Sequence, residues 1–135
     1  MSGIEQEISL DTRHTAKHLP GTVQTDQLLR RGRAAHVFND EATLLRVAQA
    51  IIKEGSHAGF ARGYDRYGLL FSEQIGVRIS PNGSTTPLFY GEIKIDANNQ
   101  YHPIPRTKPS REWLGLPRRL DRSYAISSLC LAASR

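Results

Sequence analysis

The sequence predicts an α+β domain, with helices in the first part and a roughly four-stranded antiparallel sheet in the second. Three observations carry this. One apolar stripe recurs with helical spacing in the first half, aromatic and β-branched runs of strand length fill the second, and turn residues separate those runs.

Residues 1–11 are polar and read as a loosely held arm, although Ile4, Ile8 and Leu10 give it a means of docking. Residues 12–22, TRHTAKHLPGT, place Arg13, His14, Lys17 and His18 just ahead of a Pro20-Gly21 bend. Residues 23–32 predict a short helix started by Thr25 or Asp26, with Leu28 and Leu29 inward and Gly32 at its end. Residues 39–55 form the clearest helix. Asn39 serves as N-cap, Asp40 and Glu41 suit the positive end of the helix dipole, and Gly55 follows the last turn. Leu44, Val47, Ala48, Ile51 and Ile52 share one face, which needs a sheet to cover it.

Residues 56–65 read as a loop, and strands follow at 67–71, 75–80, 88–95 and 101–105. Pro81-Asn82-Gly83-Ser84 and Asp96-Ala97-Asn98-Asn99 supply the turns. Prolines 103 and 105 lack a ladder donor, so the last strand lies at a sheet edge or is short. Alternation places Phe89, Gly91, Ile93 and Ile95 toward the helix. Leu88, Tyr90, Glu92 and Lys94 then take the open face. Residues 111–135 read as a tail, basic around Trp113 and then apolar, docked on the domain.

Composition narrows the function. The chain has 135 residues, 39% of them hydrophobic and 23% charged, as expected of one globular domain. A net charge of +5 favours an anionic partner, nucleic acid ahead of a membrane surface. The single cysteine, Cys130, excludes an intrachain disulfide and fits a reducing compartment. No basic and apolar leader opens the chain, and no apolar run approaches the ~18 residues of a membrane span. The expectation is a cytoplasmic site of action.

Two clusters of histidine with cations flank the helix–sheet unit. The first holds Lys17 and His18; the second holds His102, Arg106, Thr107, Lys108 and Ser110. Imidazole, guanidinium, ammonium and hydroxyl groups together suit a phosphate. Each also has a plain structural reading. His102 can bond a backbone carbonyl, His18 can close the Pro-Gly turn, and Lys17 and Arg106 can be solvated charges. His36 reads as structural, with a third catalytic imidazole as its alternative, and His57 as solvent-facing. His14 and His18 stand four apart, but neither a metalloprotease pattern nor cysteine ligands accompany them, so no metal or other cofactor is expected.

These blocks resemble the C-terminal toxin domains of bacterial polymorphic toxin systems, especially the type 50 toxin domain and a related cyanobacterial domain of unknown function. The resemblance rests on Lys17-His18-Leu19-Pro20-Gly21-Thr22, on Ile75-Gly76, and on the run from Tyr101 through Ser110. It covers residues 12–110; the tail lies outside it, and so do the delivery modules that normally precede such domains, as in an excised or orphan domain. It implies the ribonuclease superfamily of barnase, EndoU, certain colicins and RelE, with a helical N-terminal part before a four-stranded sheet.

The implied chemistry is metal-independent RNA cleavage. The 2′-OH attacks its own phosphate, leaving a 2′,3′-cyclic phosphate and a 5′-OH. His18 and His102 would form the acid–base pair, with the roles unassigned. Lys17 and Arg106 would stabilise the phosphorane, and Thr107 and Ser110 would hold phosphate oxygens. Tyr90 or Tyr101 would stack a base. Lys108, Arg62 and Arg66, with Tyr64, would line the RNA groove, and Glu92 is the substitute base. The implied partners are RNA, tRNA among the candidates, and a cognate immunity protein, acidic by charge complementarity. The alternative is a non-catalytic RNA- or protein-binding module on the same scaffold.

Overall fold

The computed structural model describes residue 4 and residues 6–107. Within them the chain is α+β, with three α-helices and two sheets. The five-stranded sheet takes the order β1 (Ser9–Leu10), β8 (Gln100–Arg106), β7 (Tyr90–Ile95), β4 (Tyr64–Leu70), β3 (Ser56–Ala61). The three-stranded sheet takes the order β2 (Ala35–Phe38), β5 (Gly76–Ile79), β6 (Thr85–Leu88). The helices are α1 (Thr12–Thr15), α2 (Val23–Arg30) and α3 (Glu41–Glu54), and a 3-10 turn, Ala16–His18, continues α1.

The strand count corrects the expectation of roughly four. Residues 56–61 were expected in a loop because of Gly59. They form β3, and Gly59 is accommodated at a register shift against β4, with φ 120°. The expected single strand over 88–95 is divided. Leu88 ends β6 in the small sheet, and Tyr90 begins β7 in the large one. At the junction Phe71 N–H donates to the Phe89 carbonyl (2.8 Å) and Ile75 N–H to the Leu88 carbonyl (2.8 Å), which joins the two sheets.

Helix α3 is capped by Asp40 rather than Asn39. The Asp40 carboxylate accepts from Thr43 N–H (2.7 Å) and from the Thr43 hydroxyl (2.7 Å). Gly55 is extended, with φ −65° and ψ 151°, so it ends the helix without the left-handed turn expected of a C′ glycine. For α2 the cap is Thr22, whose hydroxyl accepts from Thr25 N–H (3.2 Å), three residues before the expected start signal Thr25.

Of the alternation predicted for residues 88–95, the part from Tyr90 to Ile95 holds; at the break between β6 and β7 Leu88 is buried and Phe89, expected toward the helix, is exposed. Gly91, Ile93 and Ile95 face α3, and Leu44, Val47, Ala48 and Ile51 are buried against Leu69, Phe71, Ile75, Ile93, Ile95 and Tyr101. Burying a side chain of this size contributes about 1.5–3 kcal/mol. Gly91 is required where α3 crosses β7: a Cβ there would stand 2.8 Å from a Val47 methyl.

The polar stretch before Asp11 supplies β1, which pairs parallel to β8 at Ser9–Gln100 and Leu10–Tyr101. Beyond Tyr101, β8 has no strand partner on that side among the described residues. Prolines 103 and 105 fall in this stretch, where a missing N–H costs the ladder nothing.

Candidate functional site

The second face of the large sheet carries the site. The β7–β8 register sets Lys94 opposite His102 and Tyr90 opposite Arg106, and the β4–β7 register sets Arg66 opposite Lys94 and Gly68 opposite Glu92. Paired residues project to the same side, so His102, Arg106, Lys94, Glu92, Tyr90 and Arg66 share that face. The face is covered. Residues 14–18 fold over one end of it, and β2 packs beside β8.

The covering turn is tied locally. Asp11 caps α1, its carboxylate accepting from Arg13 N–H (3.0 Å) and from the Arg13 guanidinium (3.1 Å). The Thr22 hydroxyl donates to the Ala16 carbonyl (2.6 Å) and the Thr25 hydroxyl to the Leu19 carbonyl (2.8 Å), which fixes the bend at Pro20-Gly21. Gly21 takes φ 73°, open to glycine without strain.

His18 is 8% exposed. Its Nδ1 lies 2.9 Å from the His36 carbonyl, and since a carbonyl only accepts, Nδ1 carries the proton. Nε2 is left as a buried lone pair with no partner among the described residues. His102, 3% exposed, lies between the two other imidazoles of the turn and the sheet. Its ring is 6.3 Å from that of His18 at an interplanar angle of 4°, and 4.9 Å from that of His14. Tyr64 meets His102 edge-on at 5.6 Å, and Lys94 Nζ stands 5.6 Å above the Tyr64 ring. No carboxylate pairs with Lys94 among the described residues.

Burial and neighbouring positive groups set the protonation states. Desolvation first, then Lys17, His36 and Lys94, bring His18 down to about 4, although its bond to the His36 carbonyl works the other way. Desolvation first, then His14, His18, Lys17 and Lys94, bring His102 down to about 3. Both imidazoles are neutral at pH 7. Lys94 is lowered from the ordinary lysine value, by burial and then by Arg106.

Farther along the face Glu92 is 1% exposed and fully engaged. Arg106 Nη1 donates to Oε1 (3.0 Å), the Tyr90 hydroxyl donates to Oε2 (3.1 Å), and Arg66 Nη1 lies 3.8 Å away. A buried carboxylate needs such compensation. Gly68 makes room for it: a Cβ there would collide with the Tyr90 ring and hydroxyl. Glu92 as a substitute base is thus unsuited, since both oxygens already accept.

The structure brings together Lys17, His18 and His102; Arg106 and Arg66 lie farther along the same face, at Glu92. Thr107 follows Arg106 at the exposed end of β8, and Arg62 lies in the exposed β3–β4 turn beside Tyr64, with φ 55°. Tyr101 is not brought to the site. It faces α3 in the core, where burial raises its phenol to about 12. Tyr90 is likewise buried, and neither ring is accessible to stack a base. Lys108, Ser110 and the tail lie outside the described residues. His57 is exposed and pairs with Asp65. Among the described residues no three His, Cys, Asp or Glu side chains gather as metal ligands.

Sequence reasoning placed Lys94 only on an open face suited to RNA, with no catalytic role, and gave His14 only a metal-binding one. Both belong to the imidazole cluster. Alternation already placed Lys94 on the correct face; its pairing with His102 required the register.

A model of the family described as Domain of unknown function (DUF6972) matches residues 6–110. No curated protein and no solved structure matches the chain.

Proposed function

We propose that this chain, which belongs to that family of unknown function, is a metal-independent ribonuclease acting at the His18–His102 cluster. The observation that carries the reading is the meeting of two imidazoles from opposite ends of the domain, parallel and 6.3 Å apart, beside the cations Lys17 and Lys94.

His18 is the base. Its Nδ1–H is committed to the His36 carbonyl, so the free Nε2 lone pair takes the proton of the 2′-OH. The 2′-oxygen bonds to phosphorus, the P–O5′ bond breaks, and His102 protonates the departing 5′-oxygen. Burial first, and then the cations Lys17 and Lys94, hold His102 neutral in the free protein. The negative charge of a bound phosphodiester offsets those cations and favours its proton. Lys17 and Arg106 stabilise the charge that develops on the phosphoryl oxygens. Thr107 adds a hydroxyl at the end of β8, while Arg62 and Arg66 contact the strand beyond.

The resemblance to polymorphic toxin domains supports a toxin that acts on RNA, tRNA among the candidates, in the cytoplasm of a target cell. The net charge of +5 favours an acidic immunity protein as its partner. Among the described residues no helix is long and apolar enough to cross a membrane.

The test is incubation of total tRNA with the protein in the presence of a chelator. Fragments ending in 2′,3′-cyclic phosphate and 5′-OH support the reading; intact tRNA refutes it. One observation favours a second reading, a non-catalytic RNA-binding module: both imidazoles are almost fully buried. Salt-sensitive RNA binding without cleavage would select it.

A further inference from the structure

We propose that Arg78 and His36 form a second phosphate subsite next to the His18–His102 cluster, so that the substrate is a strand carrying at least two consecutive phosphates. The proposal rests on the phosphodiester reading of the neighbouring cluster for its place in the strand, but not for its affinity.

His36 and Arg78 are direct partners in the antiparallel β2–β5 ladder, so their side chains share one face of the small sheet. Strand β2 adjoins the imidazole cluster at His36, whose backbone carbonyl holds His18 Nδ1 at 2.9 Å. The small sheet also packs against the large one where β2 meets β8, which carries Arg106. Arg78 and Arg106 both lie near enough to the half-buried His36 ring to disfavour its protonation, after burial itself. Two guanidinium groups and an imidazole thus converge from three strands.

Their charges are not balanced locally. Arg106 is shared with Glu92, which Arg66 also approaches. Arg78 has no carboxylate partner among the described residues. Its Nη1 donates to the Ser80 hydroxyl at 3.0 Å, which aims the guanidinium without neutralising it. Like charges held together and partly desolvated cost free energy unless an anion joins them. A phosphate next to the reacting one is an anion that would lie within reach, and a guanidinium grips it with two parallel donors.

The probe is a ribodinucleotide made inert by 2′-deoxy substitution at the reacting sugar, in three forms: without a terminal phosphate, with a 5′-phosphate, and with a 3′-phosphate. Dissociation constants are measured for the full chain and for Arg78→Gln and Arg78→Lys. One terminal phosphate is expected to tighten binding roughly tenfold in the unaltered protein. Arg78→Gln should abolish that gain and reduce the salt slope by about one, and Arg78→Lys should keep part of it. Gain from neither phosphate, or the same gain in Arg78→Gln, overturns the proposal. If thermal melting shows Arg78→Gln to be unfolded, Ser80→Ala, which releases the guanidinium, replaces it and must lower the gain. The probe cannot be cleaved. Failure of the protein to cut tRNA would therefore remove the ribonuclease reading and leave this measurement intact.

Discussion

The imidazole planes of His18 and His102 lie within 4° of parallel, their centroids 6.3 Å apart. One ring comes from a short turn near the start of the chain and the other from its last described strand. Local folding preferences do not produce such a meeting; the packing of the covering turn on the sheet does.

If this pair is the proton-transfer machinery, His18→Ala and His102→Ala should each slow cleavage of tRNA by about 10²–10⁴-fold. Circular dichroism and thermal melting would separate loss of chemistry from loss of fold. Unaltered cleavage in both variants would end the ribonuclease reading.

The acid can be identified with a substrate whose leaving 5′-oxygen is replaced by sulfur, which departs without a proton. His102→Ala should cleave this substrate at close to the unaltered rate, while His18→Ala stays slow. Rescue of Lys94→Met but not of His102→Ala would transfer the acid role to the ammonium across the ladder from His102.

Proton NMR reports the charge states directly. In the free protein neither the His18 nor the His102 ring should titrate between pH 5 and 8, since burial holds them to about 4 and about 3. Adding a 2′-deoxy dinucleotide should move the His102 midpoint upward. A His102 resonance that titrates near 6.5 without ligand would contradict its burial among cations.

The same depressed values link stability to pH. Unfolded histidine binds a proton near pH 6.5, whereas folded His18 does so only near 4 and folded His102 only near 3. Both contributions are complete above pH 6.5 and are lost as the pH falls toward 4 and 3. For His18 alone the loss is about 3 kcal/mol. Urea unfolding across this range should show the decline, and His18→Gln should flatten part of it.

Gly68→Ala should destabilise the fold by about 1–3 kcal/mol. The new methyl would displace the Tyr90 ring, and with it the hydroxyl that donates to Glu92. Pairing with Tyr90→Phe, which loses that hydroxyl in advance, should give non-additive costs in denaturant melts.

The parts of the fold set by periodicity were legible in the sequence. Spacing gave the stripe of α3, and strict alternation divided residues 90–95 between core and site. Register was not legible. The turn between β7 and β8 contains Asn99 at φ 59°, and Asp96 N–H reaches across it to the Gln100 carbonyl (2.9 Å), which sets Ile95 opposite Tyr101. A slip of one residue would place Tyr101 opposite Lys94 and turn His102 into the core. That parity explains why Tyr101 was expected to meet RNA and why Lys94, already on the site face, was not paired with His102. The strand Ala35–Phe38 escaped notice because a four-residue run between helices has too few positions to show a period. Composition marked the histidines and cations as candidates but could not say which would be buried.

The separation of the two histidine blocks has a consequence for synthesis. A chain still on the ribosome holds His14 and His18 long before Gln100–Arg106 emerge, and without that strand the early turn has neither the β8 edge nor the His102 ring to settle against. The cluster comes into being only when the last strand inserts, so a translating cell would make nearly the whole domain before any copy of it becomes competent.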